Sequence, residues 1–180
     1  PPPPLAAPPS LAVPALPGTL PKVSSTASKS GGGVTNANGG DRFSVSVTNP
    51  KVSFRVCFYL EDESFSGIHG LLPENLTDKG RLQIEEFSKF LSGKLSSGRW
   101  EGVALRMSVS ADGDAYKKFY KEYEMKRRIA MFAVGKDTKL FLVTPRFHSA
   151  AKAVRDQLRS KTHTYAIVLT RDHLSEWTSR

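Results

Sequence analysis

Apolar and polar residues alternate in "FSVSV" (residues 43–47), and the same two-residue period returns in "VSFRVCFYL" (residues 52–60) after the turn "TNPK". Side chains two apart on a strand share a face, so Phe54, Val56, Phe58 and Leu60 line one side of an antiparallel hairpin. A hairpin with one apolar face has to cover it with further strands or helices. Residues 61–79 read as loop, with a weak strand signal at 81–84. Ile84, Phe87, Phe90, Leu91 and Leu95 then recur at three- and four-residue steps, which predicts an amphipathic helix over 85–95 ended by "SSG". Alternation resumes in "GVALRMSVS" (102–110) and predicts a strand. After "ADGD", with Asp114 as the expected N-cap, Tyr116, Phe119, Tyr120 and Tyr123 form a stripe at helical spacing. "IAMFAV" and "LFLVTP", joined by "GKDT", predict a second hairpin; a short helix in "SAAKAVRDQLRS" and a strand in "YAIVLTR" follow. The order β-β-(β)-α-β-α-β-β-α-β lacks a regular βαβ rhythm, so the fold class is α+β: a mixed sheet or barrel flanked by helices.

Nothing of this kind occurs upstream. Residues 1–40 are Pro-rich and then Ser/Gly/Asn-rich, with no periodic apolar pattern to repay the entropy of ordering them. They are expected to form a disordered interdomain linker, "PPPPLAAPP" acting as a stiff spacer, and residues 41–180 to form one domain, monomeric in its expected state. The chain carries a net charge of +9, of which only Lys22 and Lys29 lie in the linker. Between residues 115 and 161 there are 13 lysines and arginines against 4 acids, so the rest of the domain is slightly acidic. Such a lopsided field favours an anionic partner.

The single cysteine, Cys57, sits in an apolar run, which leaves no disulfide framework and no thiolate metal cluster. No apolar stretch approaches the length of a membrane span and no secretory leader is visible, so cytosol or nucleus is the expected compartment and no membrane the expected partner. "GGGVTNANGG" follows no strand and lacks the ending of a phosphate loop, while "VGKDT" lies in a hairpin turn. His69, His148, His163 and His173 have no partner at ligand spacing, and Cys57 has no charged neighbour in sequence to make it a nucleophile. The acidic run Glu61, Asp62, Glu63 reads as a solvated strand end. No enzyme activity, cofactor or metal is assigned.

The strings "RLQIEEFSKFL", "WEGVALRMSVS", "YKKFYKEYEMKRRIAMFAVGKDTKLFLVTPRF" and "YAIVLTR" together resemble the SPOC domain, the C-terminal module of the split-ends family, over residues 41–171. The resemblance implies a distorted, mostly antiparallel β-barrel flanked by helices. It further implies a nuclear reader of phosphoserine-containing peptides, such as the repeated tail of RNA polymerase II, in transcription regulation or RNA processing. The family's paired cations, two residues apart before the first long helix, fall on Lys79 and Arg81 of "DKGRLQ". Residues so spaced on a strand share a face and can converge on one phosphate. Lys51 is the nearest match for a third cation, and Tyr123, then Tyr120, for a tyrosine that offers its hydroxyl at the site. Lys117, Lys118 and Lys121 would steer an acidic peptide from a distance. A nucleic acid held by the 115–161 region, or a partner docked irrespective of phosphorylation, are the alternative readings.

Overall fold

The computed structural model describes residues 42–171; residues 1–40, expected to form a linker, and His173 lie outside the described residues. Seven strands close into a barrel in the order β1-β2-β4-β7-β6-β5-β3. They are β1 (Arg42–Thr48), β2 (Ser53–Tyr59), β3 (Asn75–Gln83), β4 (Glu101–Ala111), β5 (Arg128–Ala133), β6 (Thr138–Val143) and β7 (Tyr165–Thr170). Helix α1 (Ile84–Ser96) joins β3 to β4 and α2 (Gly113–Met125) joins β4 to β5, while 3₁₀ segments occupy Glu63–Leu71 and Pro145–Gln157. Every neighbouring pair is antiparallel except β1 with β3, which run parallel from Ser46↔Asn75 to Thr48↔Thr77 and close the ring. This is the mostly antiparallel barrel with flanking helices that the resemblance implies.

The strand period sorts the apolar residues into two clusters. Phe54, Val56 and Phe58 of the first hairpin meet Leu105, Phe132, Leu140 and Val168 in one, and α2 inserts Phe119 and Tyr123 among them. Phe141, Val143, Ile167 and Leu169 face the other way and are covered by Phe87 and Leu91 of α1 together with Phe147, Ala150 and Val154. Each fully buried Phe or Leu stabilises by about 1.5–3 kcal/mol relative to exposure, so α1 is held chiefly by two side chains. Strand β7 is buried along its whole length, which is why "YAIVLT" is apolar almost without interruption.

Several elements depart from their expected form. The 61–79 loop contains the segment Glu63–Leu71 and the first half of β3, a strand whose only fully buried side chain is Leu76. Its polar composition hid it. Asp112, not Asp114, is the N-cap of α2; it adopts φ 58°, a left-handed conformation that Asp tolerates, and its side chain makes no capping bond. Asp114 lies in the first turn and pairs with Lys117 at 3.4 Å. The last helical segment is 3₁₀ and is broken at Ala151 (φ −96°) and Val154 (φ −124°), although Phe147, Ala150, Ala151 and Val154 bury along one side as an α-helix would. The "SSG" stop of α1 is as expected, with Gly98 at φ 66°. Cys57, which has no charged neighbour in sequence, receives a hydrogen bond from the Arg42 guanidinium at 3.2 Å through the hairpin register. Glu61 of the acidic run turns back to Arg106 at 3.0 Å.

One polar contact completes the sheet. Strand β2 pairs with β4 only as far as Arg106, so the first half of β4 has one side without a strand neighbour. There Gln157 accepts from the Ala104 N–H at 2.8 Å and donates to the Gly102 carbonyl at 2.9 Å, as a strand would. Replacing Gln157 with Ala is expected to destabilise the domain by about 1–3 kcal/mol, read by urea denaturation, because two backbone groups lose their partners.

Candidate functional site

The geometry of the basic surface begins with a defect in β3. The ladder pairs Asp78 with Phe132 and Gly80 with Met131, so two steps on β3 match one step on β5 and Lys79 is the extra residue of a bulge. Asp78 and Arg81 would face apart on a regular strand; here both reach Tyr123. The Tyr123 hydroxyl donates to the Asp78 carboxylate, whose other oxygen accepts from the Gly80 N–H at 3.2 Å. The Arg81 guanidinium lies 5.9 Å from the Tyr123 ring centre, within cation–π range. Lys79 leaves the two-residue alternation that would have set it beside Arg81. It is exposed and forms no hydrogen bond or ion pair with a described residue.

Tyr123 is only 6% exposed, so its ring belongs to the interior cluster and its hydroxyl is engaged by Asp78 instead of standing at the surface. Burial, and then the Asp78 charge, push its pKa well above the ordinary tyrosine value, which keeps it a donor. Tyr120 is turned elsewhere. Its ring lies 5.8 Å from Tyr116, and burial and Glu124 raise its pKa to about 12. Glu124 in turn accepts from Thr144 at 3.1 Å. Of the two tyrosines, the structure brings Tyr123 to Arg81.

Lys51, in the β1–β2 turn and 68% exposed, reaches Glu122 of α2 at 3.1 Å. Lys126 reaches the same carboxylate at 2.7 Å from one helical turn on. Held by Lys126 first and Lys51 second, Glu122 has its pKa lowered to about 2. Arg81, Glu122, Tyr123, Lys126 and Arg128 line a shallow recess. Lys126 and Arg128 were not among the residues picked from sequence. Lys126 carried a weak signal, falling four residues after Glu122 and three after Tyr123; Arg128 carried none, and only the β3–β5 register sets it opposite Gln83. With its amide turned to satisfy both neighbours, Gln83 donates to the Arg127 carbonyl at 3.1 Å and accepts from Arg128 Nε at 3.2 Å. Arg127 itself points away to Glu85 at 3.0 Å. Three cations thus border one recess whose lining acid, Glu122, is already partnered, as is the nearby Asp78.

No family model and no curated protein matches the sequence. Solved structures do match, among them the crystal structure of the SPOC domain of human PHD-finger protein 3. That domain shares 13% identity with this chain at a TM-score of 0.54, over 71% of this chain and 94% of that one. The fold is that of a SPOC domain. Because the likeness lies in topology, the chemistry of the SPOC-fold barrel described here rests on its own side chains.

Glu122 reports the local field. A carboxylate whose folded pKa is depressed contributes stability above its unfolded pKa and loses it as pH falls through the folded value. NMR titration of the Glu122 carboxyl carbon is expected to give a midpoint of about 2. The midpoint is expected to move up toward the ordinary glutamate range in Lys126→Ala, and further when Lys51→Ala is added.

Proposed function

We propose that this SPOC-fold domain is a non-enzymatic protein-interaction module that binds phosphoserine-containing peptides through the recess beside Tyr123. The observation that carries this reading is the grouping of Arg81, Lys126 and Arg128 around one small depression, with Lys51 within reach through Glu122. A phosphoserine brings close to two negative charges and three acceptor oxygens. Arg81 offers the planar fork that suits such a group, and its guanidinium is held by a ring instead of being neutralised by a described carboxylate. Glu122, with a single charge, is a weaker partner for Lys51 and Lys126 than a phosphate dianion would be, so peptide binding exchanges one anion for a stronger one. Lys79, exposed at the bulge, adds charge at the rim, and Tyr123 orders Arg81 instead of touching phosphate itself.

The partner class is an acidic, phosphorylated segment of a transcription or RNA-processing protein, such as the repeated tail of RNA polymerase II, and the compartment is the nucleus. Nucleic acid fits less well. Readers of single strands need exposed aromatics between their cations, and Phe119 and Tyr123 of the α2 stripe are buried.

An array of serine peptides with and without phosphate, read against the purified chain, is expected to show binding only to phosphorylated members. Equal affinity for the plain peptides would sink the reading. Arg81→Glu together with Lys126→Glu is expected to weaken phosphopeptide binding by about tenfold or more with little change in Tm, since two charge-assisted contacts are lost. Lys79→Glu is expected to have the smaller effect. Glu122→Gln, which releases Lys51 and Lys126, is expected to tighten binding; a loss there would mean that Glu122 is needed to hold the two lysines in place.

A further inference from the structure

A second cationic cleft, sharing no residue with the recess beside Tyr123, lies where α1 ends and β4 begins. It is an open cleft of about 590 Å³, within the usual volume range of a ligand site. Lys89, Lys94, Arg99 and Arg171 line it along with Phe90 and Trp100, and none of the described lining residues is acidic.

The cations are organised by rings. Lys94 Nζ lies 5.0 Å from the Trp100 ring centre and 5.4 Å from that of Phe90. The Arg171 guanidinium lies 5.0 Å from Trp100, and Lys139 Nζ lies 5.5 Å from Phe90. Trp100, 9% exposed, is wedged in the outer core with Phe87 and Phe141, so the position of its ring is set by packing. A ring attracts a cation without cancelling its charge. Arg171 also approaches Asp137 at 3.6 Å, whereas Lys89, Lys94 and Arg99 form no ion pair with a described residue. Among the described residues, positive charge is therefore gathered in one concavity with three of its four lining cations unpaired, an arrangement relieved by an anion with more than one charge.

We infer that this cleft binds a compact anion bearing several phosphates. Its size and four cations exceed what a single phosphate needs. Both aromatic rings already carry cations, which removes the stacking platform that a single-stranded nucleic acid uses. An extended peptide adds to a sheet at an open edge; the barrel is closed, and Gln157 occupies the Ala104 N–H and Gly102 carbonyl on the side of β4 that β2 leaves unpaired. Soluble polyphosphates and phosphoinositide headgroups share the required chemistry.

Calorimetric titration of the full 180-residue chain with inositol hexakisphosphate, and co-sedimentation with vesicles containing phosphatidylinositol bisphosphate, separate those two sources. Binding in either arm is expected to weaken by about tenfold or more in Lys89→Glu with Arg99→Glu, both exposed positions, with Tm unchanged. Arg55→Glu, an equal charge change per residue on an exposed β2 position outside the cleft, is expected to leave it within about twofold. No binding in either arm, equal weakening by Arg55→Glu, or tighter binding of oligouridylate than of inositol hexakisphosphate would each overturn the inference.

Discussion

The short parallel ladder between β1 and β3 is the contact on which the remaining architecture depends. Without it the sheet would be an open curl of hairpins with two unsatisfied edges, and the apolar faces of β1 and β2 would have no enclosed interior. The ladder spans only three residue pairs, yet it places Leu76 opposite Val47 inside the barrel. From that point β3 must still reach β5 and deliver α1 to the outer face. The bulge at Lys79 reconciles these demands by turning the strand between its two neighbours. The Tyr123 hydroxyl and Asp78 tie the bulged strand to α2, so the defect that closes the barrel also brings Arg81 to a helix tyrosine.

Two ways of holding cations coexist on this surface. Around Glu122 two lysines share one carboxylate, which lowers the carboxyl pKa. Around Phe90 and Trp100 the lysines and Arg171 rest against ring faces, which fix position while leaving the charge exposed. The first arrangement is suited to exchange and the second to capture. In the second arrangement, as for Arg81 on Tyr123, the ring is set by the core, Tyr123 in the interior cluster and Trp100 in the outer one, so these cations are positioned by packing.

Much of the fold was legible because apolar periodicity is a local property. The first hairpin, α1, the Tyr/Phe stripe of α2 and the buried β7 follow from spacing alone, since a two- or near-four-residue repeat leaves few ways to bury a face. Strand β3 was legible only at its end, where the weak signal at 81–84 overlaps it: "NLTDKGRLQ" buries one side chain fully, and the rest of its pairing is satisfied by backbone bonds that sequence does not record. The same gap explains Asp114, whose type suits a cap although the turn that precedes it put Asp112 there. The site divides along the same line. Arg81 and Tyr123 could be named one by one, but the expected pairing of Lys79 with Arg81 assumed a regular strand, and Lys126 and Arg128 join the recess only because α2 packs beside β3 and β5 register.

Composition and spacing were enough to determine an α+β chain with a cationic segment and a helix stripe that must be buried, because those properties belong to neighbours in sequence. Which cations meet, which acid holds them and which ring orients them were decided by barrel closure and by one inserted residue. A strand's side chains change face with every step, so a single bulge rewrites every partner beyond it, and nothing in the order of residues declares where the ladder will slip.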